Sequence, residues 1–409
     1  GMHRVLDAPG RPRSMAKRGI AGSLMLLMLA STFAGCLGTG EDDVALDAVF
    51  TFSPATNINE GEVVFFDASG SLPSDGSLTY RWDFDGNGAV DEIGRTAEWR
   101  FTTMGESQVI LTITDGVRTA EATRTITVYE ASAEPPTAAI ETYSSDFDCF
   151  GEDAKTGTYI LLWICEDDKD LSDRKIEASV PVVLDASESA PGSADDYISS
   201  WTWDVEPSVD ADGDGDPEND VDFDGEVIEW TDVPPGEYEV VLTVTSGKGM
   251  TETDEVKVHV NYAGTWLDFQ IGGNSTSGAA EIAFDMPVVY DRDSGNTISK
   301  AVGEIVYPQK DDDWVGGVGN TQQNNNRLEL YVFNEEDDEV MNSSSIGDDQ
   351  RKDGEDCDED EDYCLELPLS SYQMTESTYE DGEWSIVIHN DRWNDIQVSR
   401  FRIVLYYKT

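Results

Sequence analysis

The chain writes one block of residues twice. The first copy holds F-D-A-S-G-S (Phe66–Ser71), Y-R-W-D-F-D-G-N-G (Tyr80–Gly88), G-E-S-Q-V-I-L-T-I-T-D (Gly105–Asp115) and T-I-T-V (Thr125–Val128). The second holds L-D-A-S-E-S (Leu184–Ser189), W-T-W-D-V (Trp201–Val205), G-E-Y-E-V-V-L-T-V-T-S (Gly236–Ser246) and V-K-V-H-V (Val256–Val260). Order and residue types agree, so the two stretches are internal repeats, and each must fold as one similar unit. Val109, Leu111 and Ile113 alternate with other residues, as do Val240, Leu242 and Val244. That period of two belongs to half-buried antiparallel strands. Trp82 and Trp203, one strand earlier, are large enough to anchor a small sandwich core. Asp67 and Asp185 open Asp-Ala-Ser turns, where a carboxylate can accept backbone N–H groups.

This ordered set resembles the PKD (polycystic kidney disease) domain, an immunoglobulin-like β-sandwich of extracellular proteins. The first copy matches over Ala48–Val128 and departs at Ser107, where an aromatic is usual. The second keeps Tyr238, has Val205 in place of Phe and lacks the Gly-Asp-Gly turn. The resemblance implies a spacer or adhesive module and specifies no ligand. From Tyr262 onward the pattern changes, with alternation at Leu328/Leu330/Val332 and Trp384/Ile386/Ile388 and no amphipathic helix of useful length. This reads as a second all-β type, a jelly-roll-like sandwich. Its close, G-E-W-S-I-V-I-H-N-D and then F-R-I-V-L-Y-Y, resembles the final strands of the pre-peptidase C-terminal or P-domain-like sandwiches that accompany secreted enzymes. The expected fold class is all-β: two tandem immunoglobulin-like (PKD-like) sandwiches over 47–129 and 137–260, then a jelly-roll-like sandwich over 261–409. Residues 130–136 form the first linker, with a Pro-Pro brake.

Two interruptions stand out. The second copy carries an insert at about 143–178, with Cys149 and Cys165 around the apolar run Tyr159–Ile164. It reads as a stapled hairpin whose apolar faces need cover from its own domain or a neighbour. The acidic stretch 335–362 reads as a mobile loop.

At the N-terminus, Met15-Ala-Lys17-Arg18 precedes the apolar run Ile20–Phe33 and then Ala34-Gly35-Cys36. The run would span roughly 21 Å as a helix, short of a ~30 Å hydrocarbon core. It reads as a cleaved signal over 1–35, with a start at Met15. Ala-Gly-Cys resembles the lipobox of prokaryotic lipoproteins, although Phe33 stands where Leu is usual. That resemblance implies lipidation of Cys36, an acidic tether over 36–46 and a membrane anchor; an ordinary signal with a chance cysteine is the alternative. Four cysteines remain. Local pairing of Cys149 with Cys165 and of Cys357 with Cys364 is the simplest of three connectivities in an oxidising compartment. A metal cluster, the alternative, would lack both C-x-x-C spacing and a nearby histidine.

The sequence holds 84 acidic and 26 basic residues, a net charge of −58. Phosphate binding needs a basic face, so nucleic acid is excluded as a partner, and cations are favoured. The sharpest chemical signal is D-A-D-G-D-G-D-P-E-N-D (Asp210–Asp220). Asp210, Asp212, Asp214, Asp216 and Asp220 around Gly215 match the first half of a D-x-D-x-D-G calcium loop, in which alternate oxygens wrap a hard cation. The closing Glu is missing, since Val221 stands at the twelfth position. A solvated acidic hairpin is the alternative. Asp83, Asp85, Asn87 and Asp91 form a lesser version, in which Asp83 already has a structural role. Ca²⁺ is the expected cofactor.

No G-x-S-x-G, H-E-x-x-H or phosphate loop occurs. His259 and His389, the histidines beyond the signal, fall in strand patterns. Asn274-Ser-Thr and Asn342-Ser-Ser are glycosylation acceptor sequences. The expected protein is a non-catalytic lipoprotein on the outer face of the cytoplasmic membrane, binding extracellular polysaccharide or protein. A secreted hydrolase or its accessory subunit and a structural envelope component are the alternatives.

Overall fold

The computed structural model describes residues 45–409 apart from 75, 212–216, 218–219, 311–325, 353–356, 359 and 376. The signal, Cys36, and Asp212, Asp214 and Asp216 therefore lie outside the described residues. No helix among the described residues is long and apolar enough to cross a membrane.

Alternating apolar residues build the first sandwich. β1 (Thr51–Ser53), β3 (Val63–Asp67) and β6 (Thr96–Arg100) make one sheet. β2 (Ile58–Asn59), β8 (Thr119–Tyr129), β7 (Gly105–Thr114), β4 (Thr79–Asp83) and β5 (Glu92–Ile93) make the other. Phe66, Trp82, Val109, Leu111 and Ile113 are all buried between them. Trp82 meets Phe50 edge-on at 5.2 Å and Phe66 at 5.5 Å.

The second sandwich repeats key bonds of the first. β10 (Val180–Asp185) pairs with β13 (Val227–Val233). β12 (Phe223–Asp224), β11 (Ile198–Asp204), β14 (Gly236–Ser246) and β15 (Thr251–Ile271) run opposite. Trp82 Nε1 donates to the Gly94 carbonyl at 2.8 Å, and Trp203 Nε1 to that of Gly225 at 2.8 Å. Ser69 N donates to Asp67 at 2.8 Å, and Ser187 N to Asp185 at 2.8 Å, closing the two Asp-Ala-Ser turns.

The third sandwich follows a jelly roll. β15, β24 (Ile396–Tyr406), β19 (Lys300–Pro308) and β22 (Asp362–Ser370) form one antiparallel sheet. β16 (Ala280–Val288), β23 (Gly382–Asn390), β20 (Glu329–Phe333) and β21 (Glu339–Asn342) form the other. The first strand pairs with the last in each sheet, the signature of two nested Greek keys. A hairpin of β17 (Tyr290–Asp291) and β18 (Asn296–Thr297) lies between β16 and β19. Pro287 and Pro368 sit on the edge strands β16 and β22, where a missing N–H costs no ladder bond and discourages edge pairing.

β15 is 21 residues long and serves two sandwiches. Its first half pairs with β14 from Thr251 to Val260, and its second with β24 from Tyr262 to Ile271. The boundary read at 260/261 thus falls inside an unbroken strand. Asn261, fully buried at that point, accepts from Tyr407 N (2.8 Å) and Lys408 N (3.0 Å) and donates to the Lys408 carbonyl (2.8 Å). Every polar atom of its amide but one proton is matched, as burial demands. The first and second sandwiches are joined by two bonds between Asn57 and Thr251, and by Tyr129 OH on the Gly249 carbonyl at 2.7 Å.

The insert departs from the expected hairpin. One strand, β9 (Ile160–Glu166), pairs in parallel with Val258–Gly264 of β15 and so straddles the junction. Ile160 and Leu162 enter the second core, and Ile176 enters the third. Both faces of the apolar run are covered: Ile164 packs against the second and third cores, and on the other face Trp163 packs against Ala263, Val302 and Val404. Cys149 and Cys165 are disulfide-bonded, as are Cys357 and Cys364. A cross-link closing a loop of about 15 residues restricts the unfolded chain by about 3 kcal/mol. Cys149→Ser should therefore lower stability by up to about 3 kcal/mol, read by denaturant titration, with proteolysis appearing first in the insert.

The described part of the acidic stretch 335–362 is more ordered than a mobile loop. It contains β21 and a 3₁₀ turn, Asp348–Lys352, pinned by Arg351. Arg351 is completely buried and spends all five of its N–H donors. Nε donates to the Ile346 carbonyl, Nη1 to Tyr307 OH and the Leu328 carbonyl, and Nη2 to Glu329 (2.6 Å) and the Ser343 carbonyl. One buried, fully hydrogen-bonded guanidinium thus gives the surrounding acidic stretch its structure.

Candidate functional site

Two equivalent loops follow the buried tryptophans, and their carboxylates are treated differently by the chain. In the first, the W-D-F turn directs Asp83 inward. It accepts from Gly88 N (2.7 Å), Asn87 N (3.2 Å) and Asp85 N (3.3 Å). Gly88 has φ of +85°, which only glycine adopts without strain, so the loop can turn back onto Asp83. Asp91 accepts from Phe84 N at 2.8 Å. Burial alone would push the Asp83 carboxyl up, but the amides of Gly88, Asp85, Gly86 and Asn87 outweigh it and hold the group below the usual range. Oxygens of Asp83, Asp85 and Asp91 lie within 4.8 Å of one another. Asn87 uses its side-chain oxygen on Ala89 N.

In the second loop Asp204 and Asp222 take the places of Asp83 and Asp91. Asp222 accepts from Val205 N at 2.9 Å, and Asp204 Oδ1 from Glu206 N at 2.9 Å. The tight Gly-containing turn is replaced here by a longer acidic excursion, and no amide among the described residues reaches the other oxygen. Asp204 Oδ2 is buried without a hydrogen-bond partner, in a residue only 3% exposed. Burial, with Asp222, Asp220 and Glu206 nearby, pushes its carboxyl up to about 6. Asp220 turns back across the excursion and accepts from Ala211 N at 2.5 Å. Of the expected set, Asp220 lies close enough to Asp204 to act on its carboxyl, and sequence reading missed Asp204 itself. Its only signal was the repeat: a carboxylate matched to Asp83 but deprived of the turn that satisfies it.

The histidines do not assemble an acid–base set among the described residues. His259 is buried, edge-on to Tyr159, with Nδ1 3.9 Å from Glu237, and burial pushes it down to about 4. His389 Nδ1 lies 3.1 Å from Glu281 on an outer face. Asn274 sits in the loop before β16 and donates to the Asp391 carbonyl. Asn342 ends β21 and accepts from Ser344 N and Oγ.

Residues 48–129 match the family model of the PKD domain. No curated protein matches the sequence. Among solved structures, carbohydrate-binding modules from the β-sandwich superfamily are similar over 90% of this chain and 98% of theirs, at 14% identity and a TM-score of 0.21. Fibronectin(III)-like modules of Clostridium thermocellum CbhA are similar over 52% and 95%, at 13% identity and a TM-score of 0.23. Bacteroides ovatus SGBP-B, solved with a mixed-linkage heptasaccharide, is similar over 90% and 100%, at 12% identity and a TM-score of 0.17. At these values the likeness carries no statement about ligand.

Proposed function

We propose that this is an exported, non-catalytic surface protein that binds extracellular polysaccharide, with two stacked sandwiches carrying a third as the binding module. The observation that carries this reading is β15, which continues from the second sandwich into the third without a break. A linker built as a strand, stapled on its flank by β9, fixes the orientation of the last module. Such rigidity lowers the entropy lost when a module engages an extended ligand. Two disulfides favour an oxidising compartment, and lipidation at Cys36 would supply the anchor. A glycan and protein array probed with the full chain tests the reading. Saturable binding to a polysaccharide supports it; binding to proteins alone, or to nothing, overturns it.

Calcium is part of the same proposal. A hard cation suits an all-oxygen donor set; the oxygens of Asp83, Asp85 and Asp91 lie within 4.8 Å of one another, and in the second loop the Asp204 oxygen is unpartnered with Asp222 and Asp220 nearby. Without the closing Glu, affinity of extracellular grade is expected, with Kd on the order of 10⁻⁴ to 10⁻³ M. About 5 mM Ca²⁺ should then add about 1–2 kcal/mol of stability. In chelator, Asp204→Asn should melt no lower than wild type, because it removes a buried charge; in calcium, it should gain nothing. Equal wild-type melting temperatures with and without Ca²⁺ in high sodium chloride would leave both loops as solvated acidic turns.

A further inference from the structure

Trp393 is 79% exposed, while Trp82, Trp203, Trp266 and Trp384 are completely buried. It sits in the turn between β23 and β24. β24 runs from this turn back to the junction with the second sandwich, so the turn marks the free end of the third module. The turn is held from beneath. Asn390, completely buried, donates to the carbonyls of Gly272 (2.9 Å) and Asn394 (3.0 Å) and accepts from Arg392 N (2.9 Å). Asn274 N donates to the Arg392 carbonyl, and Gly273 N to Asp395 at 2.7 Å. A Cβ on Gly273 would lie 2.4 Å from the Trp393 carbonyl, so only glycine lets the two loops close this tightly. The indole is therefore presented by an ordered backbone, already fixed before any partner arrives.

The geometry points to Trp393 as a stacking platform for a sugar ring at the tip of the third sandwich. This rests on the polysaccharide reading above and adds the site. Apart from Trp393, the exposed side chains of the two loops are Asp391, Arg392, Asp395, Ser275, Thr276 and Ser277. None is apolar. A protein hot spot needs a desolvated apolar surround, which these loops lack. An anionic membrane is repelled by a chain of net charge −58. A sugar ring matches both parts: its C–H face covers the indole, and its hydroxyls meet the carboxylates, the guanidinium and the serines.

The test uses the full chain and a polysaccharide found on the glycan array, with affinity measured by calorimetry. Trp393→Ala should weaken binding about tenfold or more, and Trp393→Phe should retain most of it. Tyr372→Ala, an exposed aromatic at the opposite end of the same sandwich, should bind as wild type does. Because Trp393 is exposed, its variants should keep the wild-type melting temperature. Wild-type affinity in Trp393→Ala would overturn the tip site and leave the polysaccharide reading standing. Absence of any polysaccharide binding by the wild type would overturn both. A protein partner lost on Trp393→Ala, with glycan binding intact, would overturn the sugar assignment.

Discussion

Arg351→Ala should destabilise the third sandwich by about 3–5 kcal/mol, because it leaves a buried carboxylate without its main counter-charge. Glu329 takes hydrogen bonds from Arg351, from Arg327 at 2.6 Å and from Ser343 at 2.6 Å. Removing Arg351 strips the fully buried one of the two guanidinium partners and takes one hydrogen bond each from the carbonyls of Leu328 and Ser343. Urea titration monitored by tryptophan fluorescence would read the loss. Paired replacement, Arg351→Met with Glu329→Leu, should recover much of it, since buried ion pairs are often matched by apolar residues. The same pair sets an acid limit. Burial alone would raise the Glu329 carboxyl, but the bonds from Ser343, Arg351 and Arg327 outweigh it and hold the group below its ordinary value. A depressed native pKa means the contribution is complete above the unfolded value, ~4.3. It is lost as pH falls from there through the lower native value. Glu329→Gln should remove that part of the acid dependence.

Trp266→Ala should cost a comparable ~3–5 kcal/mol and should be felt in two sandwiches. The indole is fully buried, 4.7 Å from Phe284 and 5.8 Å from Phe401, and Nε1 donates to the Asp173 carbonyl at 2.9 Å. Lys169 of the insert lies 5.7 Å over its ring and bonds to Glu166, which accepts from Tyr262 OH. The substitution therefore opens a cavity in the third core and releases the insert that braces β15. Calorimetry should show the second and third sandwiches melting at lower temperature together. A shift confined to the third would mean that the shared strand does not couple them.

The repeat was legible because its period-two strands, tryptophans and Asp-Ala-Ser turns are local signals, and alternation at Leu328/Leu330/Val332 and Trp384/Ile386/Ile388 marked β20 and β23 of the third sandwich. Four features were not legible locally. The pairing of β9 with β15 joins residues about a hundred positions apart, and an apolar run alone does not say which core will cover it. Arg351 sits in an acidic stretch that reads as solvated; only its burial against Glu329 and Tyr307 gives the stretch structure. Asp204 was visible as a repeat position, but its unpaired oxygen comes from a turn missing in one copy, which pattern reading registers as a mismatch rather than as a site. Trp393 carries no periodic signal at all, since one tryptophan in a polar turn reads the same whether buried or exposed.

The account stands or falls on binding without cleavage. The direct measurement is calorimetric titration of the full chain with an array-selected polysaccharide, followed by incubation and assay of new reducing ends. Saturable heat with no reducing ends released is the predicted result. Release that grows with time and enzyme concentration, or no heat with any polysaccharide, would contradict it.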